Sequence, residues 1–129
     1  MIMRKKLAYM RYILPLSLMA FIFFMSSRSN IETVPMFPHA DKLIHFAAYV
    51  LVSAAWVFAL KGNSLFNGKK LGVFLLAMVV SSLYGLSDEI HQMYVPGRTC
   101  DMFDWLADSV GSVVGAWVWI SVKITKQDM

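Results

Sequence analysis

Four apolar stretches divide this chain, and charged residues are almost absent within them. They cover residues 12–27, 43–60, 71–87 and 109–122. Each approaches the length of about 20 residues that a helix needs to cross the hydrocarbon core of a bilayer. Backbone polar groups in lipid must be satisfied within the protein, which favours helices over isolated strands. We therefore predict an all-α integral membrane bundle of four transmembrane helices, at about residues 9–27, 41–60, 71–91 and 101–122.

The composition agrees with a membrane protein and excludes a disordered chain, a disulfide scaffold and a nucleic-acid-binding arm. Hydrophobic residues make up 58% of the chain and charged residues 16%, whereas soluble domains contain about 25% charged residues. The length of 129 residues predicts one domain, 1–129. The single cysteine, Cys100, excludes an intrachain disulfide. The lipid bilayer is therefore the predicted main partner, and no nucleic-acid partner is expected.

The basic residues predict which side of the membrane each terminus occupies. Nine of the twelve Lys and Arg residues lie in the N-terminal segment, the loop 61–70 and the C-terminal segment, which share one side of a four-pass protein. Cytoplasmic segments carry the excess of Lys and Arg, so we predict that both termini are cytoplasmic. The other side holds Arg28, Lys42 and Arg98, and every acidic residue except Asp128.

A cleaved signal peptide is the alternative for the first stretch, because basic residues precede an apolar run of suitable length. Residues 25–29, which follow this run, lack the small-residue pattern of a cleavage site. We therefore expect an uncleaved helix. Pro15 lies near the start of this helix and should disturb it little.

Three of the predicted helices carry polar residues spaced three or four apart, so each has a polar face at the same end of the bundle. The members are Asp41, His45 and Tyr49 on the second helix, Asp88, His91 and Gln92 on the third, and Asp101, Asp104 and Asp108 on the fourth. Ionisable groups are costly in lipid, so these faces should turn towards one another. Gly111 and Gly115 continue the fourth face and form a small-xxx-small pattern, which allows a neighbouring helix to approach closely.

The loop between the third and fourth helices contains Pro96 and Gly97, a turn signal that we expect to carry Arg98 back over the carboxylates. Lys42 and Glu89 lie off the polar faces and are expected at the membrane interface. Structural roles are an alternative for several residues. Asp101 has the position of an N-cap and Asp104 that of a first-turn acid, and Arg98 could serve only to neutralise acids.

The predicted ligand-binding residues share this end of the bundle; they are Asp41, His45, Asp88, His91, Arg98, Asp104 and Asp108. The candidates for acid–base catalysis are His45, Asp88 and His91, because a histidine oriented by a carboxylate can act as a general base. The histidines and carboxylates are metal-ligand types, but no closely spaced ligand motif is present. We therefore predict no metal and no cofactor.

The motifs follow one another in order within residues 41–115. They are Asp41-Lys42-Leu43-Ile44-His45-Phe46 with Tyr49, Ser87-Asp88-Glu89-Ile90-His91-Gln92, Val95-Pro96-Gly97-Arg98, and then Asp101, Asp104, Ala107 and Gly111. This combination resembles the VanZ-like family. The resemblance implies a small bacterial multi-pass protein of the cell envelope, in the cytoplasmic membrane. The family is named after a protein associated with resistance to the glycopeptide teicoplanin, and the resemblance implies no catalytic assignment.

Two functions of different classes are compatible with these residues. The first is a binding module whose outward-facing polar site takes an envelope head group, a lipid-linked cell-wall precursor or a glycopeptide-like ligand. The second is a membrane-embedded hydrolase or transferase that uses His and Asp as acid–base residues. The absence of a serine elbow, a P-loop and a dense metal motif favours the first. A structural partner of a larger envelope complex is a third alternative.

Overall fold

The computed structural model describes residues 2–29 and 37–122, and every regular element in these ranges is helical. The elements are α1 (Ile2–Met10), α2 (Ile13–Ser26), α3 (Ala40–Lys61), a 3₁₀ turn (Ser64–Phe66), α4 (Lys70–Gln92) and α5 (Met102–Ser121). The all-α prediction is confirmed for the described residues, and α3, α4 and α5 begin and end within one residue of their predicted bounds. Four residues used to predict the orientation lie outside the described ranges; they are Glu32, Lys123, Lys126 and Asp128.

Within residues 2–29 and 37–122, three helical segments are long and apolar enough to cross a membrane. They are Lys5–Ser26, Ala40–Lys61 and Lys70–Gln92. Helix α5 has 20 residues, and Asp104 and Asp108 lower its mean hydropathy, so it is not among these three.

The first helix differs from the prediction, because it begins at Ile2 and is interrupted at Arg11 and Tyr12. Proline has no N–H group, so Pro15 cannot donate to the carbonyl oxygen four residues earlier, that of Arg11. A turn spans the interruption, in which the Tyr12 N–H donates to the Tyr9 carbonyl oxygen at 3.1 Å. The effect of Pro15 is therefore larger than the sequence suggested.

Helices α3 and α5 lie side by side and run in the same direction, while α4 runs in the opposite direction. At one end of the pair, Nζ of Lys42 donates to Asp104 at 3.1 Å. At the other end, Nζ of Lys61 donates to the carbonyl oxygen of Trp119 at 3.3 Å. The parallel arrangement brings the first turns of α3 and α5 to the same end of the bundle.

Gly111 and Gly115 bring the backbones of α5 and α3 into contact. A Cβ atom on Gly111 would collide with the carbonyl group of Phe46, and one on Gly115 would collide with that of Val50. The predicted close approach at the small-xxx-small pattern is confirmed, and the neighbouring helix is α3. These contacts fix the register of the two helices.

A small apolar core lies away from the polar faces, and many of the other large apolar side chains point outwards. The buried core residues are Val57, Leu60, Val73, Ala77 and Ala116. Exposed apolar residues include Phe21, Leu51 and Leu83. So large an exposed apolar surface is unfavourable in water but is solvated by lipid.

Gly115→Ala should destabilise the bundle by about 1–3 kcal/mol, because the added methyl group meets the backbone of α3, which cannot move independently. Gly72→Ala is the matched control, since its Cβ atom would meet only Lys69 Cβ, at 3.9 Å. The control should be neutral or slightly stabilising through helix propensity. Thermal unfolding of the purified protein in detergent measures both variants. A Gly115→Ala midpoint equal to that of the wild type would contradict the close packing.

Candidate functional site

Seven ionisable side chains meet where α3 begins, α4 ends and α5 begins, and we call them the acidic cluster. They are Asp41, Lys42 and His45 on α3, Glu89 on α4, Asp101 immediately before α5, and Asp104 and Asp108 on α5. The parallel packing of α3 and α5 places both helix N-termini here. The partial positive charge of a helix N-terminus stabilises nearby carboxylates, and Asp41 and Asp104 lie in first turns.

Lys42 connects the carboxylates at the rim of this cluster. Its Nζ donates to Asp41 at 3.1 Å, to Asp101 at 3.0 Å and to Asp104 at 3.1 Å. The expectation that Lys42 lies off the site was wrong, because residues three apart share a helix face and His45 faces α5. Asp41 is at the periphery, with 52% of its side chain exposed.

His45 lies deeper than Lys42, among three carboxylates. Its Nδ1 forms a hydrogen bond with Asp108 Oδ1 at 2.9 Å and lies 3.9 Å from Glu89 Oε1. Its Nε2 lies 3.7 Å from Asp104 Oδ2. Carboxylates from α4 and α5 thus surround both ring nitrogens and fix the orientation of the ring.

Glu89 and Asp108 are the most deeply buried acids, and their side chains have 0% exposure. Glu89 Oε2 accepts a hydrogen bond from the backbone N–H of Asp101 at 2.9 Å. The other two oxygens, Glu89 Oε1 and Asp108 Oδ2, have no hydrogen-bond partner among the described residues. Buried polar groups are usually hydrogen-bonded, so these two oxygens require an explanation.

The expectation that Glu89 lies at the membrane interface was also wrong. Gly85 stands one turn before Glu89 on α4 and therefore shares its face. A Cβ atom on Gly85 would lie 2.8 Å from Asp108 Oδ2, so the missing side chain makes room for Asp108. Helix α4 consequently turns both Gly85 and Glu89 towards α5, whereas the sequence pattern placed Glu89 off the polar face that contains Asp88.

Asp101 caps α5, as one of the two interpretations of the sequence proposed. Its Oδ1 accepts a hydrogen bond from the Phe103 N–H at 2.8 Å. The Lys42 ammonium, and after it this backbone N–H, lower the pKa of the Asp101 carboxyl below its ordinary value. Asp101 therefore carries its negative charge over a wider pH range than a free aspartate.

Asp88 and His91 belong to a second group, the α2–α4 network, which also contains Ser26, Ser27 and Gln92. Ser26 Oγ donates to Asp88 Oδ1 at 2.5 Å, and Gln92 Nε2 donates to Asp88 Oδ2 at 3.4 Å. His91 Nε2 lies 2.9 Å from Ser27 Oγ. Within the described ranges, neither Asp88 nor His91 has a hydrogen bond or ion pair with the acidic cluster.

Arg98 also faces α2 rather than the carboxylates, so its expected position was wrong. Its Nε donates to the Arg28 carbonyl oxygen at 3.2 Å, and a terminal guanidinium nitrogen donates to the Met25 carbonyl oxygen at the same distance. The last carbonyl groups of a helix lack intrahelical partners. The guanidinium group of Arg98 therefore donates to carbonyl oxygens at the C-terminal end of α2 instead of to the carboxylates. A turn signal in the sequence does not indicate which acceptor the arginine finds.

The structure therefore divides the predicted site residues into two groups. Asp41, His45, Asp104 and Asp108 join the acidic cluster, to which Lys42, Glu89 and Asp101 are added. Asp88, His91 and Arg98 contact α2. The spacing of Gly85 to Glu89 and of Lys42 to His45 could have indicated the added residues on α4 and α3, whereas the contributions of Ser26 and Ser27 depend on where α2 ends.

Among the described residues, two sets of three have donor atoms close enough together to hold a metal ion. They are His45, Glu89 and Asp108, and Asp41, Asp101 and Asp104; within each set the donor atoms all lie within 4.8 Å of one another. In the second set the Lys42 ammonium already contacts all three carboxylates. The first set is the one that contains the two buried oxygens for which the described residues provide no hydrogen-bond partner.

The family model described as VanZ/LLP1 matches residues 11–123, which include every member of the acidic cluster. The chain belongs to the VanZ/LLP1 family, and the resemblance seen in the sequence is confirmed. No curated protein and no solved structure matches the chain. Family membership and the three apolar helical segments identify a multi-pass membrane protein of VanZ type.

Lys42→Gln should destabilise the protein, because it leaves three carboxylates facing one another without their shared cation. Adding Asp104→Asn removes one of the repelling charges and should recover part of the loss, with a coupling energy of about 1 kcal/mol. Lys61→Gln is the control, since Lys61 bonds only carbonyl oxygens in the described part of the chain, and Asp104→Asn should not compensate for it. A double-mutant cycle on thermal unfolding in detergent tests this. Strictly additive effects of Lys42→Gln and Asp104→Asn would contradict the interaction.

Proposed function

We propose that this VanZ/LLP1-family protein crosses the bacterial cytoplasmic membrane four times and keeps both termini in the cytoplasm. The 20 residues of α5 are long enough for about 30 Å of hydrocarbon. The acids of α5 are buried against protein, whereas most of its exposed side chains are apolar, as lipid contact requires. The exposed apolar residues include Phe103, Leu106, Val110, Val113 and Trp117. The distribution of Lys and Arg supports the orientation.

Cys100 provides a test of this orientation, because its side chain is exposed in the loop that we place outside the membrane. A membrane-impermeant thiol reagent should label Cys100 in intact spheroplasts. The control is Asn67→Cys in a Cys100→Ser background, which should react only after the membrane is permeabilised. The opposite labelling pattern would reverse the proposed orientation.

We further propose that the outward-facing acidic cluster binds the cationic amine of an envelope head group. The observation that carries this proposal is its excess of negative charge. Five carboxylates face one ammonium group, that of Lys42, and one imidazole, that of His45. The rim carboxylates Asp41 and Asp101 are partly exposed, so an ammonium group can approach them. Amines bind carboxylates through short charge-assisted hydrogen bonds.

Molecules with this chemistry include lipid-linked cell-wall precursors and glycopeptides that carry a free amine. Asp88, His91 and Arg98 lie at the same end of the bundle beside α2, where they would contact another part of such a ligand. Anchoring of the ligand in the bilayer would raise its local concentration at the site.

Teicoplanin, an amine-bearing lipoglycopeptide, is a suitable probe for this proposal. It should bind the wild-type protein in nanodiscs, and acetylation of its amine or the substitution Asp104→Asn should weaken binding about tenfold or more, since each removes one charged partner. Lys61→Gln, at the other end of the bundle, is the control and should bind normally. Calorimetry with empty nanodiscs as the reference measures the affinities. Equal affinity for teicoplanin and its acetylated form would contradict recognition of the amine.

A membrane-embedded hydrolase or transferase is the second candidate. The observation that favours it is the distance of 2.9 Å between Ser27 Oγ and His91 Nε2, which suits a nucleophile and its base. Ser27 Oγ also donates to the Phe23 carbonyl oxygen at 2.7 Å, and this bond opposes transfer of the hydroxyl proton to His91. Binding through the acidic cluster therefore has the stronger support.

A further inference from the structure

A group of three side chains lies beneath the rim of the acidic cluster, and we call it the inner triad. It consists of His45, Glu89 and Asp108, contributed by α3, α4 and α5. One donor atom from each residue lies within 4.8 Å of the other two. The two carboxylates have 0% side-chain exposure and the imidazole has 17%, so the surrounding helices hold the triad in place.

The hydrogen bonds of the inner triad do not satisfy its oxygens. Asp108 Oδ1 bonds His45 and Glu89 Oε2 bonds the Asp101 N–H. Glu89 Oε1 and Asp108 Oδ2 are buried and have no hydrogen-bond partner among the described residues. An uncompensated buried carboxylate is strongly unfavourable, and here two of them share one imidazole.

Lys42 cannot supply the missing positive charge. Its ammonium bonds the rim carboxylates Asp41, Asp101 and Asp104 at 3.0–3.1 Å. A divalent cation between the three helices would balance both buried acids.

We infer that the inner triad binds one divalent transition-metal cation, of the Zn²⁺ or Mn²⁺ type. A neutral imidazole nitrogen and two carboxylates are ligands for such ions, whereas Mg²⁺ and Ca²⁺ are usually bound by oxygen atoms alone. This inference replaces the expectation from sequence that no metal is bound. The spacing did not indicate a site because each ligand comes from a different helix.

Asp104 has the position of a supporting residue for this site. Its Oδ2 lies 3.7 Å from His45 Nε2, the ring nitrogen opposite the one that faces the triad. A histidine that binds a metal through one nitrogen commonly donates the other N–H to a carboxylate, which orients the ring and strengthens the ligand. Asp104 would thereby connect the inner site to the rim.

The test uses the full-length protein in detergent, stripped with EDTA and carrying Cys100→Ser, because an exposed thiol binds Zn²⁺ by itself. Calorimetric titration with Zn²⁺ or Mn²⁺ should show one equivalent bound, and Mg²⁺ should not compete at similar concentrations. Glu89→Gln and Asp108→Asn keep a hydrogen-bond acceptor but remove a charge, so each should weaken metal binding by at least about tenfold. His39→Gln, which removes an exposed histidine outside the cluster, is the control and should bind normally.

Unfolding midpoints separate metal binding from a purely structural role. In EDTA the two amide variants should unfold at or above the wild-type midpoint, because a buried amide costs less than an unpaired carboxylate. Added Zn²⁺ should raise only the wild-type and His39→Gln midpoints, since ligand binding stabilises the folded state. Pulsed electron paramagnetic resonance of the Mn²⁺ complex should detect one imidazole nitrogen.

The inference is overturned if no saturable single site appears, if His39→Gln weakens binding as much as Glu89→Gln, or if the nitrogen signal is absent. It is independent of the proposed amine ligand. Teicoplanin binding measured in EDTA tests the rim alone, and metal titration without teicoplanin tests the inner triad alone. Failure of one leaves the other result intact.

Discussion

The contact between α3 and α5 at Gly111 and Gly115 determines most of the remaining architecture. It brings the two backbones together over more than one turn and fixes their relative register. Because the helices are parallel, the same register opposes His45 to Asp108 and Lys42 to Asp104. Two helix N-termini thus meet at one end, where their partial positive charges stabilise the carboxylates that gather there.

Helix α4 meets this pair with its C-terminus, whose dipole disfavours acids. Asp88 and Glu89 are nevertheless located in its last turns, and each depends on partners from another element. Adjacent helical residues point about 100° apart, so Asp88 bonds Ser26 of α2 while Glu89 accepts the N–H of Asp101. Helix α4 therefore separates two polar groups that look like one group in the sequence. Polar bonds to Asp88, His91 and Arg98 attach the end of α2 to the bundle.

The long helices and the glycine contact could be predicted, because apolar length, helical spacing and the absence of Cβ atoms are local properties of the sequence. The sequence predicts which face of a helix is buried only where the helix packs against a single partner. Helix α4 has partners on two sides, so Glu89 was misplaced although Asp88 was correctly expected in the interior. Arg98 was misplaced because the end of α2 offers acceptors that no periodic pattern reveals. Pro15 was underestimated because α1 extends the helix in front of it, where the missing N–H interrupts the chain of hydrogen bonds.

Stability alone gives no reason for Glu89 and Asp108 to be acidic. Apolar residues of similar volume in place of a buried ion pair are often neutral or stabilising, and here each acid retains an oxygen that has no hydrogen-bond partner among the described residues. The two proposals assign different roles to the rim carboxylates and to the acids of the inner triad. At the rim, a carboxylate can exchange the Lys42 ammonium for that of a ligand, because water or a head group can reach it. In the inner triad, Glu89 and Asp108 are too deeply buried for a head group to reach them. One divalent cation bound beside His45 would balance the charges of both carboxylates.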